Sequence, residues 1–222
     1  RSTAQLCDAH PYLLRTVGLH PNQAAHWSPA VEGALEREVD ETRPIAIGEI
    51  GLDFFREHAD PAAQRAAFEA QLRLAKQVHL PVVIHQRAAE DDVLEALACH
   101  APLRGVMHCF SGDAAFAARC IALGMHLGIG GLVTYPMSAA IREALAGVPA
   151  EHLVLETDAP YLAPQPWRGK RNEPAYLSAV VETLANVRGL SAAEVADLTS
   201  RNAVQLFGQE VERARRAGAE AA

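Results

Sequence analysis

The sequence predicts an α/β protein in which short parallel strands alternate with helices, and three observations predict it. First, the apolar runs are short and lack period-two alternation, as strands buried on both faces require. Second, stretches of helical periodicity separate them. Third, strand after strand runs into a histidine or an acid: Pro44-Ile-Ala-Ile-Gly-Glu49, Pro81-Val-Val-Ile-His85, Gly105-Val-Met-His108 and His152-Leu-Val-Leu-Glu-Thr-Asp158. In a parallel α/β protein such C-terminal tips share one face, so the pattern predicts a site built from several strand ends.

Taken in order, residues 1–12 read as the end of a helix, closed by His10-Pro11. Thr16-Val-Gly-Leu19 is a short strand followed by His20-Pro21, and Pro29 to about Glu41 is helical. The strand 44–49 leads into a polar loop with Asp53, Arg56 and His58. Pro61 suits a first helical position, and a helix runs from there to about Val78 with a buried stripe at Phe68, Leu72, Ala75 and His79. Strand 81–84 is followed by helix 89–99, whose acidic first turn (Glu90, Asp91, Asp92) complements the helix dipole. Strand 105–107 leads to a helix capped by Ser111 or Asp113 and ended at Gly124. Strand 126–129, a helix near 138–146 and the strand 153–155 follow. A proline-rich loop then carries Arg168-Gly-Lys-Arg171, and helices at 174–188 and 191–207 complete residues 1–208 as one domain. The charged, alanine-rich tail 209–222 is expected to fray.

Six strands are counted. A closed (β/α)8 TIM barrel takes eight and typically about 250 residues, so the expected architecture is a TIM-barrel type with about six of its eight strands in these 222 residues. A doubly wound sheet is the alternative, but no Gly-x-Gly-x-x-Gly follows a strand.

Half the residues are apolar and the net charge is -7. An electrostatic grip by the whole surface on duplex nucleic acid is not expected, so any phosphate contact must be local or carried by metal ions. No apolar run is long enough to span a bilayer. Cys7, Cys99, Cys109 and Cys120 show no Cys-x-x-Cys spacing and read as reduced thiols of a cytoplasmic protein. Cys109 beside His108 is either a nucleophile or a small residue packed under the site.

Glu49, His85, His108 and Asp158 supply two imidazoles and two carboxylates, a donor set for Zn²⁺, Mn²⁺, Ni²⁺ or Fe²⁺. A lone strand-end histidine is more often structural; four such residues in one kind of position point to a metal or acid/base site. His20 reads three ways: ligand, donor to a phosphate, or structural residue. His126 begins its strand and reads as structural. Arg168, Lys170 and Arg171 are either a solvated run or a clamp on phosphate.

Together, Gly48-Glu-Ile-Gly-Leu-Asp53, Val83-Ile-His85, Met107-His-Cys-Phe-Ser-Gly112, Leu155-Glu-Thr-Asp-Ala-Pro-Tyr-Leu162 and Arg168-Gly-Lys-Arg-Asn-Glu-Pro174 resemble the TatD family of metal-dependent deoxyribonucleases, over about residues 10–208. The resemblance implies an amidohydrolase-type TIM barrel that hydrolyses DNA phosphodiesters, as a 3′–5′ exonuclease on single strands. It implies one or two divalent ions (Mg, Mn or Zn), with Glu49 bridging, His85 and His108 as ligands, and Asp158 as ligand and orienter or base for the attacking water. His20 and Arg168, Lys170, Arg171 and Asn172 would lie near substrate phosphates. The expected partner is DNA, single-stranded or at 3′ ends, with no membrane and a monomeric state. The family's opening His-x-His-x-Asp motif does not occur in this sequence, so the first ion would keep only Glu49 and Asp158. Two rivals are an ester, lactone or amide hydrolase on the same scaffold, and a catalytically incomplete module.

Overall fold

The computed structural model describes residues 3–56 and 58–220. The first two residues of the predicted N-terminal helix, Glu57 of the polar loop and the last two residues of the tail lie outside the described residues. The chain forms two compact units, Arg1–Gly105 with Val204–Ala222, and Val106–Ala203.

In the first unit, α1 (Thr3–Ala9) precedes β1 (Thr16–Val17), a 3-10 turn (Pro21–His26), α2 (Pro29–Thr42), β2 (Ala46–Asp53), α3 (Pro61–Gln77), β3 (Val82–Arg87) and α4 (Glu90–Cys99). β1, β2 and β3 pair in parallel, in chain order. Two helices start where a cap precedes proline: Ser28 Oγ accepts from Val31 N at 3.3 Å and Asp60 Oδ1 from Ala62 N at 2.7 Å. Ile47, Ile50, Leu52, Phe68, Leu72, Ile84 and Leu97 form the core.

β2 is longer than its apolar run suggests. It continues past Glu49 to Asp53, and one extra residue of β2 enters between Ile47 and Ile50, a β-bulge against β3. Gly51 pairs with His85 and Asp53 with Arg87, so the ladder carries β3 beyond His85 as well. Glu49 and His85, expected at strand tips, therefore lie inside paired strands. Glu49 is exposed to the site because the bulge re-aims it. Gly51 is required here: its φ is +141° and a Cβ would meet the His85 carbonyl oxygen at 2.0 Å. His79, expected on the buried stripe of α3, is exposed and has φ +57°, because α3 has already ended at Gln77.

β4 (Gly105–Met107) falls on the boundary between the units. The second unit holds α5 (Ala114–Ala122), β5 (Met125–Ile129), α6 (Ala139–Gly147), β6 (Leu153–Leu155), α7 (Leu177–Arg188) and α8 (Ala192–Phe207) up to residue 203. β5 and β6 pair in parallel. Asp113, not Ser111, caps α5, its Oδ1 accepting from Phe116 N at 2.8 Å. A capping box starts α8: Ser191 N and Oγ donate to Glu194 Oε2, and Glu194 N donates back to Ser191 Oγ. Asn202, buried on α8, donates to the carbonyls of Ala150 and Leu153 and so fixes the start of β6.

The tail expected to fray forms α9 (Gln209–Glu220) in the first unit. Glu212 pairs with Arg215 and Arg216, and Glu210 with Arg213, at helical spacing. The same charges that suggested solvation supply these pairs. No helix among the described residues is long and apolar enough to cross a membrane.

Candidate metal centres

Each unit carries one histidine held between two carboxylates. In the first unit His85 is the centre: its Nδ1 lies 2.8 Å from Glu49 Oε1 and its Nε2 3.2 Å from Asp53 Oδ2. Asp53 is 1% exposed. Its other oxygen accepts from the backbone N–H groups of Phe55 (3.1 Å) and Arg56 (2.9 Å). A carboxylate fixed in this way accepts a hydrogen bond from Nε2–H, the tautomer in which Nδ1, on the Glu49 side, is the nitrogen able to hold a metal ion.

His20 joins this cluster by its Nε2, 3.7 Å from Glu49 Oε1, with its ring 4.5 Å from that of His85. Ligand atoms of His20, Glu49 and His85 all fall within 4.8 Å of one another. The hydrogen bonds discriminate between their roles. His20 Nδ1 accepts from the backbone N–H of Asn22 at 3.1 Å, so the neutral ring keeps its proton on Nε2. A ligand needs a lone pair there; an Nε2–H is a donor.

Two buried glutamines of α3, seven residues apart and thus on one face, hold the backbone around these groups. Gln64 exchanges two bonds with Asp53 N and O, at 2.8 and 3.0 Å. Gln71 does the same with Leu19 N and O, at 2.6 and 3.2 Å. The stripe that packs the helix therefore also sets the positions of Asp53 and His20.

In the second unit His108, directly after β4, is the centre. Its Nδ1 lies 2.9 Å from Glu156 Oε2 and its Nε2 3.6 Å from Asp158 Oδ1. Glu156 and Asp158 are alternate residues of extended chain after β6 and reach toward one side. Glu156 Oε1 also accepts from Cys109 N at 2.7 Å. Cys109 has φ +48°, which turns that N–H toward the carboxylate. Gly128 makes room: a Cβ there would lie 2.4 Å from Glu156 Oε2. Burial lowers the proton affinity of His108, but its bonds to Asp158, Cys109 and Glu156 outweigh burial and the net shift is upward in the metal-free chain. Burial pushes the Cys109 thiol up to about 12, against the opposing bond to His108. A thiol protonated at neutral pH is no nucleophile, so the packed reading of Cys109 is the one its surroundings favour.

These donor sets fit a divalent ion. Imidazole with carboxylate suits Zn²⁺, Mn²⁺ or Fe²⁺. Two donors each about 2.1 Å from a shared ion lie roughly 3.4 Å apart in tetrahedral geometry, near the 3.6 Å between His108 Nε2 and Asp158 Oδ1. His108, Cys109 and Glu156 also fall within reach of one ion. The Nδ1–H···Glu156 bond instead leaves Nε2 as the ligand atom, on the Asp158 side.

Of the nine residues singled out from the sequence, Glu49, His85 and His20 are brought together in the first unit, and His108 and Asp158 in the second. Asp53 and Glu156 were missed as site members. Their signal was their spacing: Asp53 closes the β2 motif, and Glu156 stands two residues before Asp158. Arg168, Lys170 and Arg171 are exposed on the loop after β6, with Arg168 stacked 4.5 Å over the Tyr135 ring. Asn172, expected at substrate phosphates, is 2% exposed. Its Nδ2 donates to Tyr161 O at 2.7 Å and its Oδ1 accepts from Glu173 N, so its amide is committed to holding the loop.

The family model described as TatD related DNase matches residues 1–208. The chain is 39% identical over 210 residues to the 3′-5′ ssDNA/RNA exonuclease TatD of Erwinia tasmaniensis, covering 91% of this chain and 81% of that protein. It is 34% identical over 205 residues to the uncharacterized metal-dependent hydrolase YabD of Bacillus subtilis, covering 91% and 80%. Among solved structures, the TatD homolog YjjV of Escherichia coli K12 superposes with TM-score 0.87 at 32% identity, over 92% of this chain and 80% of that one.

Proposed function

Because the chain belongs to the TatD-related DNase family, we propose that it is a divalent-metal-dependent hydrolase that cleaves the phosphodiester bonds of DNA, from 3′ ends of single strands. The observation that carries this reading is the pair of histidine–carboxylate clusters, each placing the two ring nitrogens of one histidine beside two carboxylates. The relatives' names support the metal dependence and the single-stranded substrate.

Glu49 and His85, and His108 and Asp158, are the residues assigned to hold metal. A divalent ion supplies charge neutralisation at the phosphate and a lowered pKa for attacking water. The chain's own residues do the rest. Asp53 and Glu156 each take a proton-bearing ring nitrogen and so keep the other nitrogen available. Asp158 Oδ1 accepts the proton of the attacking water. His20 Nε2–H donates to a non-bridging phosphate oxygen, the role its tautomer fits. Arg168, Lys170 and Arg171 bind phosphates along the strand, on a loop that Asn172 holds in place. The surface is acidic overall, with net charge -7, so this local cluster carries the strand contacts.

The test is cleavage of a single-stranded oligonucleotide by the metal-stripped chain, then after addition of Mg²⁺, Mn²⁺ or Zn²⁺. Cleavage restored by metal and absent in Glu49→Ala supports the reading. A folded chain that binds metal and leaves DNA intact overturns it.

A further inference from the structure

The loop after β6 displays an aromatic residue that the described residues leave largely uncovered. Tyr161, three residues beyond Asp158, is 70% exposed. A tyrosine ring left in solvent offers its π-face to a planar partner from outside the chain.

The backbone beneath that ring is fixed. Tyr161 N donates to Asp158 O at 2.6 Å, and Tyr161 O accepts from the buried Asn172 at 2.7 Å. Asn172 N donates in turn to Pro160 O at 3.0 Å. The ring is therefore anchored to the residue that carries the candidate base and to the segment that carries the cations. Neither Lys170 nor Arg171 has a side-chain partner among the described residues, and both are exposed. Further along, Trp167 and Tyr176 stack on each other at 4.0 Å, and Arg168 lies over Tyr135. These aromatics are occupied, whereas Tyr161 on the same loop is 70% exposed. An open ring and exposed cations on one loop are the combination that binds single-stranded nucleic acid, with stacking for the base and charge for the backbone.

We propose that Tyr161 forms a nucleobase subsite, stacking on the base of the 3′-terminal nucleotide while Lys170 and Arg171 hold the phosphates that precede it. This rests on the nuclease reading above and adds to it where the base goes. A π-face accepts every base, so the subsite selects an unpaired terminus, not a sequence. It also favours strands over duplexes, because a paired terminal base has its faces already stacked.

The experiment measures binding of the full metal-stripped chain to two 5′-fluorescein-labelled single strands by fluorescence anisotropy. One strand ends in a normal 3′ nucleotide; the other is identical with an abasic 3′ residue. The wild-type chain should bind the abasic strand about tenfold more weakly. Tyr161→Ala should bind the normal strand about tenfold more weakly and show no further loss with the abasic strand. Tyr161→Phe, which keeps the π-face, should behave as wild type. Losses that multiply in Tyr161→Ala with the abasic strand, or a Tyr161→Ala chain that binds the normal strand as wild type does, would overturn the subsite while leaving the nuclease reading intact. A wild-type metal-stripped chain that binds neither strand would overturn the subsite and leave the nuclease reading to the cleavage test with added metal.

Discussion

The two clusters use one design with the ring turned over. His85 gives Nε2 to the carboxylate that buttresses it, Asp53, and Nδ1 to Glu49. His108 gives Nδ1 to its buttress, Glu156, and Nε2 to Asp158. The difference lies in how far each carboxylate must reach. Asp53 and Glu49 belong to β2, which pairs directly with β3 and its His85. The bulge in β2 is enough to bring both acids to one ring. Glu156 follows β6 and reaches His108, after β4, past β5, and that reach needs the missing side chain of Gly128. Adjacent strands solve the problem by register; separated strands solve it by leaving a gap in the strand between.

If the clusters are equivalent in chemistry, removing the less buried carboxylate of either should be equally damaging. Glu49→Ala and Asp158→Ala should each lower metal-supported cleavage of single-stranded DNA by about 100-fold or more, the scale of a lost acid/base or ligand group. Initial rates on a labelled oligonucleotide measure this. A large loss in only one of the two would assign the chemistry to that unit.

The sequence showed more of this design in the second unit than in the first. Strands 105–107 and 153–155 were legible to the residue because each is a short apolar run between clear breaks, and His108 and Asp158 followed. From sequence alone β2 ends at Glu49, since Gly48 and Gly51 look like punctuation when no partner strand is in view. The pairing with β3 decides otherwise, and pairing is a long-range fact. Asp53 was noticed only as loop, because a buried carboxylate is visible as such only once its donors, the N–H groups of Phe55 and Arg56, are placed. The helix 209–220 was hidden for a related reason: its Glu–Arg spacing is helical, but alanine and charge alone also describe a solvated tail. The helices between were legible from Pro-initiated starts at Pro29 and Pro61.

The next test touches the buttresses. Asp53→Asn and Glu156→Gln keep shape and keep an oxygen for the backbone donors. Each, however, presents an amide N–H to the histidine, which moves the ring proton onto the ligand nitrogen. Each should weaken metal binding by about 10–100-fold, read by calorimetry, with the melting temperature changed less in Glu156→Gln. Asp53 is the more deeply buried of the two, and a mismatched buried donor costs about 1–3 kcal/mol. Unchanged affinity in both would mean that the buttresses do not set the tautomers.

Gly128→Ala sharpens the contrast of register against gap. The new methyl would sit 2.4 Å from Glu156 Oε2, the far end of a flexible side chain that can move, and 3.0 Å from the Met107 carbonyl oxygen, which must give by a few tenths of an ångström. Metal affinity should fall by about tenfold, and His108 should lose its Glu156 partner. Nothing in the first cluster should change, which Glu49-dependent effects on the same background would verify.

The smallest effect separates the third members, His20 and Cys109. His20→Ala removes the Nε2–H donor and should raise KM for the oligonucleotide by about tenfold, the value of one hydrogen bond to a charged group, with metal affinity unchanged. Cys109→Ser should leave both within about twofold. Its thiol, pushed up from 9.0 to about 12, stays protonated throughout the neutral range and begins to ionise only well above pH 9. Iodoacetamide at pH 8 should therefore modify the exposed Cys99 and spare Cys109, as mapped by mass spectrometry. Rapid alkylation of Cys109 that abolishes activity would reverse the assignment. It would make the second cluster a thiolate site, and the symmetry between the two units would then hold for the histidines alone.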